Sequence, residues 1–255
     1  MTILSDFLSS DRDSNHIMDQ FHKSSSVNIS QCPGTFPFEG SDNRALYIKH
    51  RKKNLVPAKD CNYTLNSHGY RCPEFEDIKW DESIVAFGCS NTLGVGLDDK
   101  ETFCNIIQDI TERPVINLGQ GATGIWQILY NYRALHRQGH KPYKVILQVP
   151  SANRLAVFDK HDLMNLGPWA TRTSWLDAEN KKNYLTFNTN YWNVKVYQTM
   201  ALELIDAIRP PDCVISFVEN SPGEIIHSID QARDNSHPGP RTAEYVAERI
   251  LSILS

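Results

Sequence analysis

From Ser83 onward the chain alternates between two apolar spacings. Ile84–Phe87 is an unbroken apolar run that stops at Gly88, and it predicts a buried strand. Phe103, Ile106, Ile107 and Ile110 then recur at helical spacing and predict a helix over Thr102–Thr111. Val115–Leu118 predicts a second strand, and Gly124–Arg137 a helix with Ile125, Ile128, Leu129, Tyr132 and Leu135 on one side. Lys144–Val149 predicts a third strand, closed by Pro150. The amphipathic stretch Trp192–Ile208 and the breaker Pro210-Pro211 lead to a fourth, Cys213–Val218. A last helix is expected over Pro240–Leu254, with Pro240 in its first turn and Ala243, Val246, Ala247, Ile250, Leu251 and Leu254 forming an apolar face. Strand–helix alternation implies a parallel sheet covered by helices on both faces.

Two regions fall outside this rhythm. Residues 1–60 are polar, turn-rich and without a clear period; they are expected to form an arm, a cap or an interface. The short basic run His50–Lys53 within them is expected to be a solvated loop. Residues 154–191 follow the third strand and should hang over the carboxyl edge of the sheet as a cap. Trp169, Trp175, Tyr184, Tyr191 and Trp192 there form either an aromatic wall or the packing of the cap itself.

At 255 residues, one core of ordinary size is expected. With 26 basic and 30 acidic residues the net charge is −4, and no basic stripe stands out, which argues against nucleic acid as a partner. No apolar run approaches the roughly 18–20 residues of a membrane span. The first residues lack the charged start and long apolar centre of a secretory signal, so a cytoplasmic location is expected, with a phage particle or host cytosol equally compatible. The six cysteines are scattered without a Cys-x-x-Cys pair, consistent with reduced thiols. No metal or cofactor is expected.

The candidate chemistry lies where the predicted strands end, which is where open α/β sheets place their sites. Ser90 follows the first strand in Gly88-Cys89-Ser90-Asn91-Thr92-Leu93-Gly94. The glycine-rich turn Asn117–Gly124 follows the second strand, and its backbone can approach a ligand closely. Ser151-Ala152-Asn153 follows the third, with an amide that can donate to an oxyanion. Asp234-Asn-Ser-His237 precedes the last helix, a spacing that lets the carboxylate orient the imidazole. A serine nucleophile needs such a base and such donors. Asn66–Arg71 is turn chemistry, read as a tight loop into the first strand or as a lid whose Arg71 holds the segment to the sheet.

The order serine, glycine turn, asparagine, Asp-x-x-His resembles the SGNH (GDSL-like) hydrolase family. Cys89 stands where that family has an aspartate, and only Asn153 survives from its Gly-x-Asn-Asp block. The stretch Asn66–Arg71 is similar to one that often precedes the family's first block. The resemblance covers about Asn66–Ser255, leaving 1–65 as an N-terminal extension and 66–255 as the catalytic domain. It implies a flavodoxin-like three-layer α/β/α sandwich. It also implies a metal-free serine esterase with Ser90, His237 and Asp234 as triad. The oxyanion would be held by Ser90, Gly121 or Ala122, and Asn153. A small ester or acylated glycan is the expected substrate. An acyltransferase on the same site, and an idle structural or binding protein with the same fold, remain as alternatives. The sequence gives no oligomeric state.

Overall fold

The computed structural model describes residues 21, 29–53, 59–150, 153–159, 162–169, 177–208, 213–217 and 228–254. Ser151, Ala152, Trp175, Pro210, Pro211 and Val218, together with Ser9–Asn15 and residues 24–28, lie outside them.

The elements, in chain order, are β1 (Gly34–Phe36), α1 (Arg44–Lys52), β2 (Tyr63–Leu65), β3 (Ile84–Gly88), α2 (Ser90–Leu93), α3 (Phe103–Thr111), β4 (Val115–Gly119) and α4 (Ile125–Arg137). They continue with β5 (Lys144–Val149), β6 (Leu155–Asp159), β7 (Asp162–Leu166), α5 (Ala178–Thr189), α6 (Tyr191–Ile208), β8 (Cys213–Phe217) and α7 (Pro240–Leu254), plus four short 3₁₀ turns among the described residues.

The central sheet runs β4-β3-β5-β8, and all three pairings are parallel. Numbered along the chain, that order is 2-1-3-4, the flavodoxin-like order, which reverses direction at β3. Alternation along β3 assigns the two faces. Val85 and Phe87 pack with Leu118, Leu147 and Val149 against Ile128, Tyr132 and Leu135 of α4 and Ala201 of α6. Ile84 and Ala86 pack with Val115 and Ile146 against Phe103 and Ile107 of α3 and Val246, Ala247 and Ile250 of α7. The fold is therefore a three-layer α/β/α sandwich, as the apolar pattern and the resemblance imply. Every residue of β3 and β4 is buried, which is why β3 reads as an unbroken apolar run, and β4 as one broken only by Asn117, rather than as alternating strands.

The early segment contains more structure than its sequence shows. β1 pairs antiparallel with β2. The basic run at His50–Lys53 is not a loop: His50, Arg51 and Lys52 form the last turn of α1, where cations complement the helix dipole. Within 154–191, β6 and β7 make an antiparallel hairpin followed by α5.

Gly88 shows how tightly the carboxyl end of β3 is built. A Cβ there would stand 1.9 Å from Thr92 Oγ1 and 2.8 Å from Thr92 Cβ. The missing side chain makes the space into which α2 folds back. Gly88→Ala is expected to lower stability by about 1–3 kcal/mol through overpacking. Urea unfolding checks this, and an unchanged midpoint would mean that α2 can yield.

Candidate active site

Ser90 is the first residue of α2. Cys89 before it is extended (φ −99°, ψ −154°) and caps the helix. The N–H of a first-turn residue has no partner inside its own helix, so that of Ser90 faces outward with its hydroxyl. Both neighbouring strands hold this single turn. The Thr92 hydroxyl donates to Gln148 Oε1 of β5 at 2.5 Å, and Asn117 Nδ2 of β4 donates to the Thr92 carbonyl at 2.7 Å. Arg71 fixes the loop that follows, donating to the carbonyls of Leu93, Gly94 and Leu97 at 2.9–3.0 Å while its Nε meets Asp99 at 2.5 Å. Arg71 thus acts as a clamp behind the serine, not as a lid over it.

The turn carrying Asp234 and His237 docks onto the same loop. The Arg233 N–H donates to the Gly96 carbonyl at 3.1 Å, and the turn closes on itself through Ala232 N–H to the His237 carbonyl at 2.8 Å. Asn235 takes the left-handed φ of 57° that this closure requires. The result is a continuous relay. Ser90 Oγ lies 2.8 Å from His237 Nε2, and His237 Nδ1 lies 2.6 Å from Asp234 Oδ2. The network assigns the ring proton to Nδ1, leaving Nε2 to accept from the serine.

Asp234 is almost fully buried. Burial alone raises a carboxyl's pKa. Here it is outweighed by the hydrogen bond and positive charge of His237, the Ser41 hydroxyl and the His237 N–H, so Asp234 is held at about 2. The N–H groups of Ser236 and His237 both donate to its Oδ1 at 3.0 Å.

Ser90 and His237 open onto a cleft of about 420 Å³. Leu93 and Val95 supply an apolar part; Gly121 and Ala122 lie on one flank, with Ala122 at a φ of 63°. Glu39, Gly40 and Ser41 come from the early segment, and Arg154 and Trp169 from beyond β5. The Trp169 ring occupies the space a Cβ on Gly167 would fill, and the Arg154 guanidinium sits 5.3 Å above it while donating to the Thr123 carbonyl at 2.9 Å. Burial pushes the Glu39 carboxyl up to about 7, against the pull of the Gly40 N–H.

Of the residues the sequence points to, Ser90, Gly121, Ala122 and His237 share this cleft, with Asp234 directly behind. Asn153 is not part of its lining; its carbonyl accepts from Tyr184 Oη at 3.0 Å, and Arg154 faces the cleft instead. Cys89 is fully buried and does not reach it. Among the described residues the aromatic wall reduces to Trp169: Tyr184 is core, Tyr191 and Trp192 are exposed at the start of α6, and Trp175 lies outside the described residues. Glu39 and Ser41 carry no sequence signal; the partners of Ser41, Asp234 and His237, lie more than 190 residues away. Among the described residues no group of three His, Cys, Asp or Glu side chains could hold a metal ion, and no helix is long and apolar enough to cross a membrane.

No protein-family model and no curated protein matches the chain. Solved structures similar to it include a protein described as a lipolytic member of the G-D-S-L family from Desulfitobacterium hafniense DCB-2. That likeness is at 11% identity over 66% of this chain and 99% of that one, with a TM-score of 0.34. A carbohydrate esterase whose active site has divergent catalytic and non-catalytic binding functions is similar at 10% identity over 71% and 70% of the two chains, with a TM-score of 0.39. A GDSL-like lipase from Bacteroides ovatus ATCC 8483 is similar at 15% identity over 69% of this chain and 53% of that one, with a TM-score of 0.38.

One ion pair joins the early segment to this site. Arg233 Nη2 meets Asp42 Oδ2 at 2.5 Å, and both side chains are almost completely buried. Asp42→Ala leaves a buried guanidinium unpaired and is expected to destabilise the protein by about 3–5 kcal/mol. Adding Arg233→Met removes the orphaned charge and should recover part of that loss. Chemical denaturation of the three proteins checks it, and a double variant no better than Asp42→Ala would deny the pairing this weight.

Proposed function

We propose that the chain is a serine esterase of the SGNH (GDSL-like) type, acting on a small carboxylic ester through an acyl-enzyme. The observation that carries this reading is the unbroken Ser90–His237–Asp234 relay opening onto a cleft. Binding alone has no use for a base at 2.8 Å from a serine hydroxyl.

Ser90 Oγ attacks the ester carbonyl carbon as its proton passes to His237 Nε2. The carbonyl π pair moves to oxygen, which the N–H groups of Ser90 and of Gly121 or Ala122 stabilise. Asn153, expected from the sequence as a third donor, lies outside the cleft lining and is given no part in this step. Collapse of the intermediate breaks the bond to the alcohol oxygen, and that oxygen takes the proton from Nε2. Water then repeats the sequence on the acyl-serine, releasing the acid. Asp234 stays ionised throughout, holding the ring in the tautomer with Nδ1 protonated.

The favoured substrate is an O-acyl group on a glycan. Trp169 offers a flat face, while Arg154 and Glu39 offer hydrogen-bonding groups suited to hydroxyls. Leu93 and Val95 leave room for a small acyl group, and the cleft is not apolar throughout.

Ser90→Ala is expected to lower ester turnover at least about 10³-fold with the fold intact, and to abolish labelling by a fluorophosphonate. A folded wild-type protein that takes up no fluorophosphonate would point instead to a binding protein. Cys89→Ala should keep most activity.

A pH profile tests the relay. With Asp234 held at about 2, the carboxylate remains charged at any pH above about 4, so the acid limb of kcat/KM reports protonation of the base. Asp234→Asn is expected to lower kcat/KM by about 10²- to 10⁴-fold. It also removes the charge that favours the imidazolium, so the acid limb should move to lower pH. An acid limb that stays in place would mean that the two residues do not act together.

A further inference from the structure

The early segment reaches into the relay itself. Residues 39–42 form a tight turn closed by Glu39 N–H to the Asp42 carbonyl at 2.9 Å and Asp42 N–H to the Glu39 carbonyl at 3.0 Å. Two consecutive residues of this turn meet two consecutive residues of the Asp234 turn. Asp42 takes Arg233, whose Nη2 also donates to the Pro37 carbonyl at 2.5 Å and whose guanidinium lies 4.6 Å from the Phe38 ring. Tyr63 Oη donates to Asp42 Oδ2 at 2.6 Å and accepts from the Gly96 N–H at 2.7 Å, which ties the same carboxylate to the loop behind Ser90. The Ser41 hydroxyl donates to Asp234 Oδ2 at 2.7 Å and stands 3.4 Å from His237 Nδ1. That oxygen also receives the imidazole N–H.

We propose that Ser41 is a positioning residue of the active site, a fourth member of the relay that shares Asp234 Oδ2 with His237 and tempers how strongly the carboxylate holds a proton on the ring. This rests on the esterase reading for its consequence in catalysis, though not for the contact itself. A hydrogen-bond donor on a carboxylate oxygen spreads its negative charge and weakens its pull on a neighbouring cation. Without Ser41, the two backbone N–H groups on Oδ1 still hold the carboxylate in place, so the whole charge of Oδ2 falls on the imidazole. The protonated base is then favoured, and the esterase needs a higher pH to work. The exposed edge of Ser41 leaves the core intact when its hydroxyl is removed.

The charged and titratable groups around His237 are Asp234 on its own turn, Glu39 on the 39–42 turn and Arg154 from beyond β5, with the Asp42–Arg233 pair behind. Glu39 titrates near neutrality, so the experiment runs in a Glu39→Gln background as well as in the natural one. It compares Ser41→Ala and Ser41→Thr in the full chain by two measurements. One is the pH profile of kcat/KM on p-nitrophenyl acetate. The other is the far-downfield proton resonance of the His237 Nδ1–H, identified by its loss in His237→Asn. In Ser41→Ala the plateau of kcat/KM should fall about 3- to 10-fold, the acid limb should move to higher pH, and the resonance should shift. That is opposite to the movement expected for Asp234→Asn. Ser41→Thr, which keeps the hydroxyl, should restore all three. An acid limb and resonance that do not move in Ser41→Ala, or that move equally in Ser41→Thr, would overturn the proposal. A resonance that shifts in a protein that turns over no ester would support the Ser41 contact and sink the esterase reading instead.

Discussion

Much of this site depends on one buried ion pair. Arg233 and Asp42 are 191 positions apart in sequence and almost fully withdrawn from water. A lone guanidinium or carboxylate in that place would be prohibitive, so neither turn can settle without the other. Their backbones are then committed. Arg233 places Asp234 next in the chain, and Asp42 places Ser41 just before it. The Arg233 N–H meets the Gly96 carbonyl, and Tyr63 links Asp42 to the Gly96 N–H, so the pair is also tied to the loop leaving Ser90. Ser90 Oγ and His237 Nε2 reach 2.8 Å because three segments from distant parts of the chain are held by one desolvated contact.

The sheet could be read along the chain because each of its strands is short and mostly apolar, and β3, β4 and nearly all of β5 are buried on both faces. The helices of both outer layers declare themselves by period. α2 could not be read in this way, since four residues carry no period; it is a helix because Thr92 finds Gln148 and the space left by Gly88. The β6–β7 hairpin was hidden for another reason. Its polar residue Asn165 is buried, donating to Gln127 and accepting from the Gly124 N–H at 3.0 Å, a tertiary pairing that no local pattern announces.

The site divides along the same line. Ser90 and the Asp234–His237 pair are legible because local spacing alone puts each at a turn, one at a strand end and the other just before the last helix. Ser41, Glu39 and the placement of Arg154 are not legible, because what makes them part of the cleft is a tertiary contact and not a pattern. Among the described aromatic candidates Trp169 is the one on the cleft, and its sequence mark is the glycine at 167. That glycine leaves room for the ring to lie flat. A sequence can advertise that a glycine permits close approach, but it does not say which side chain will use the space.

The two carboxyls near the serine show how donor count decides charge. Asp234 is the more deeply buried of the two, yet it is the more acidic, because two backbone N–H groups, a hydroxyl and an imidazole all donate to it. Glu39 has the Gly40 N–H against its burial and rises to about 7. At neutral pH Asp234 is charged, while burial leaves the Glu39 carboxyl much the weaker acid of the two. In the proposed esterase that separation suits His237, which must give up its proton readily. A second full negative charge lining the same cleft would favour the imidazolium form of His237. Environments that push two neighbouring carboxyls apart are the usual way one site keeps an orienting anion without stalling its own base.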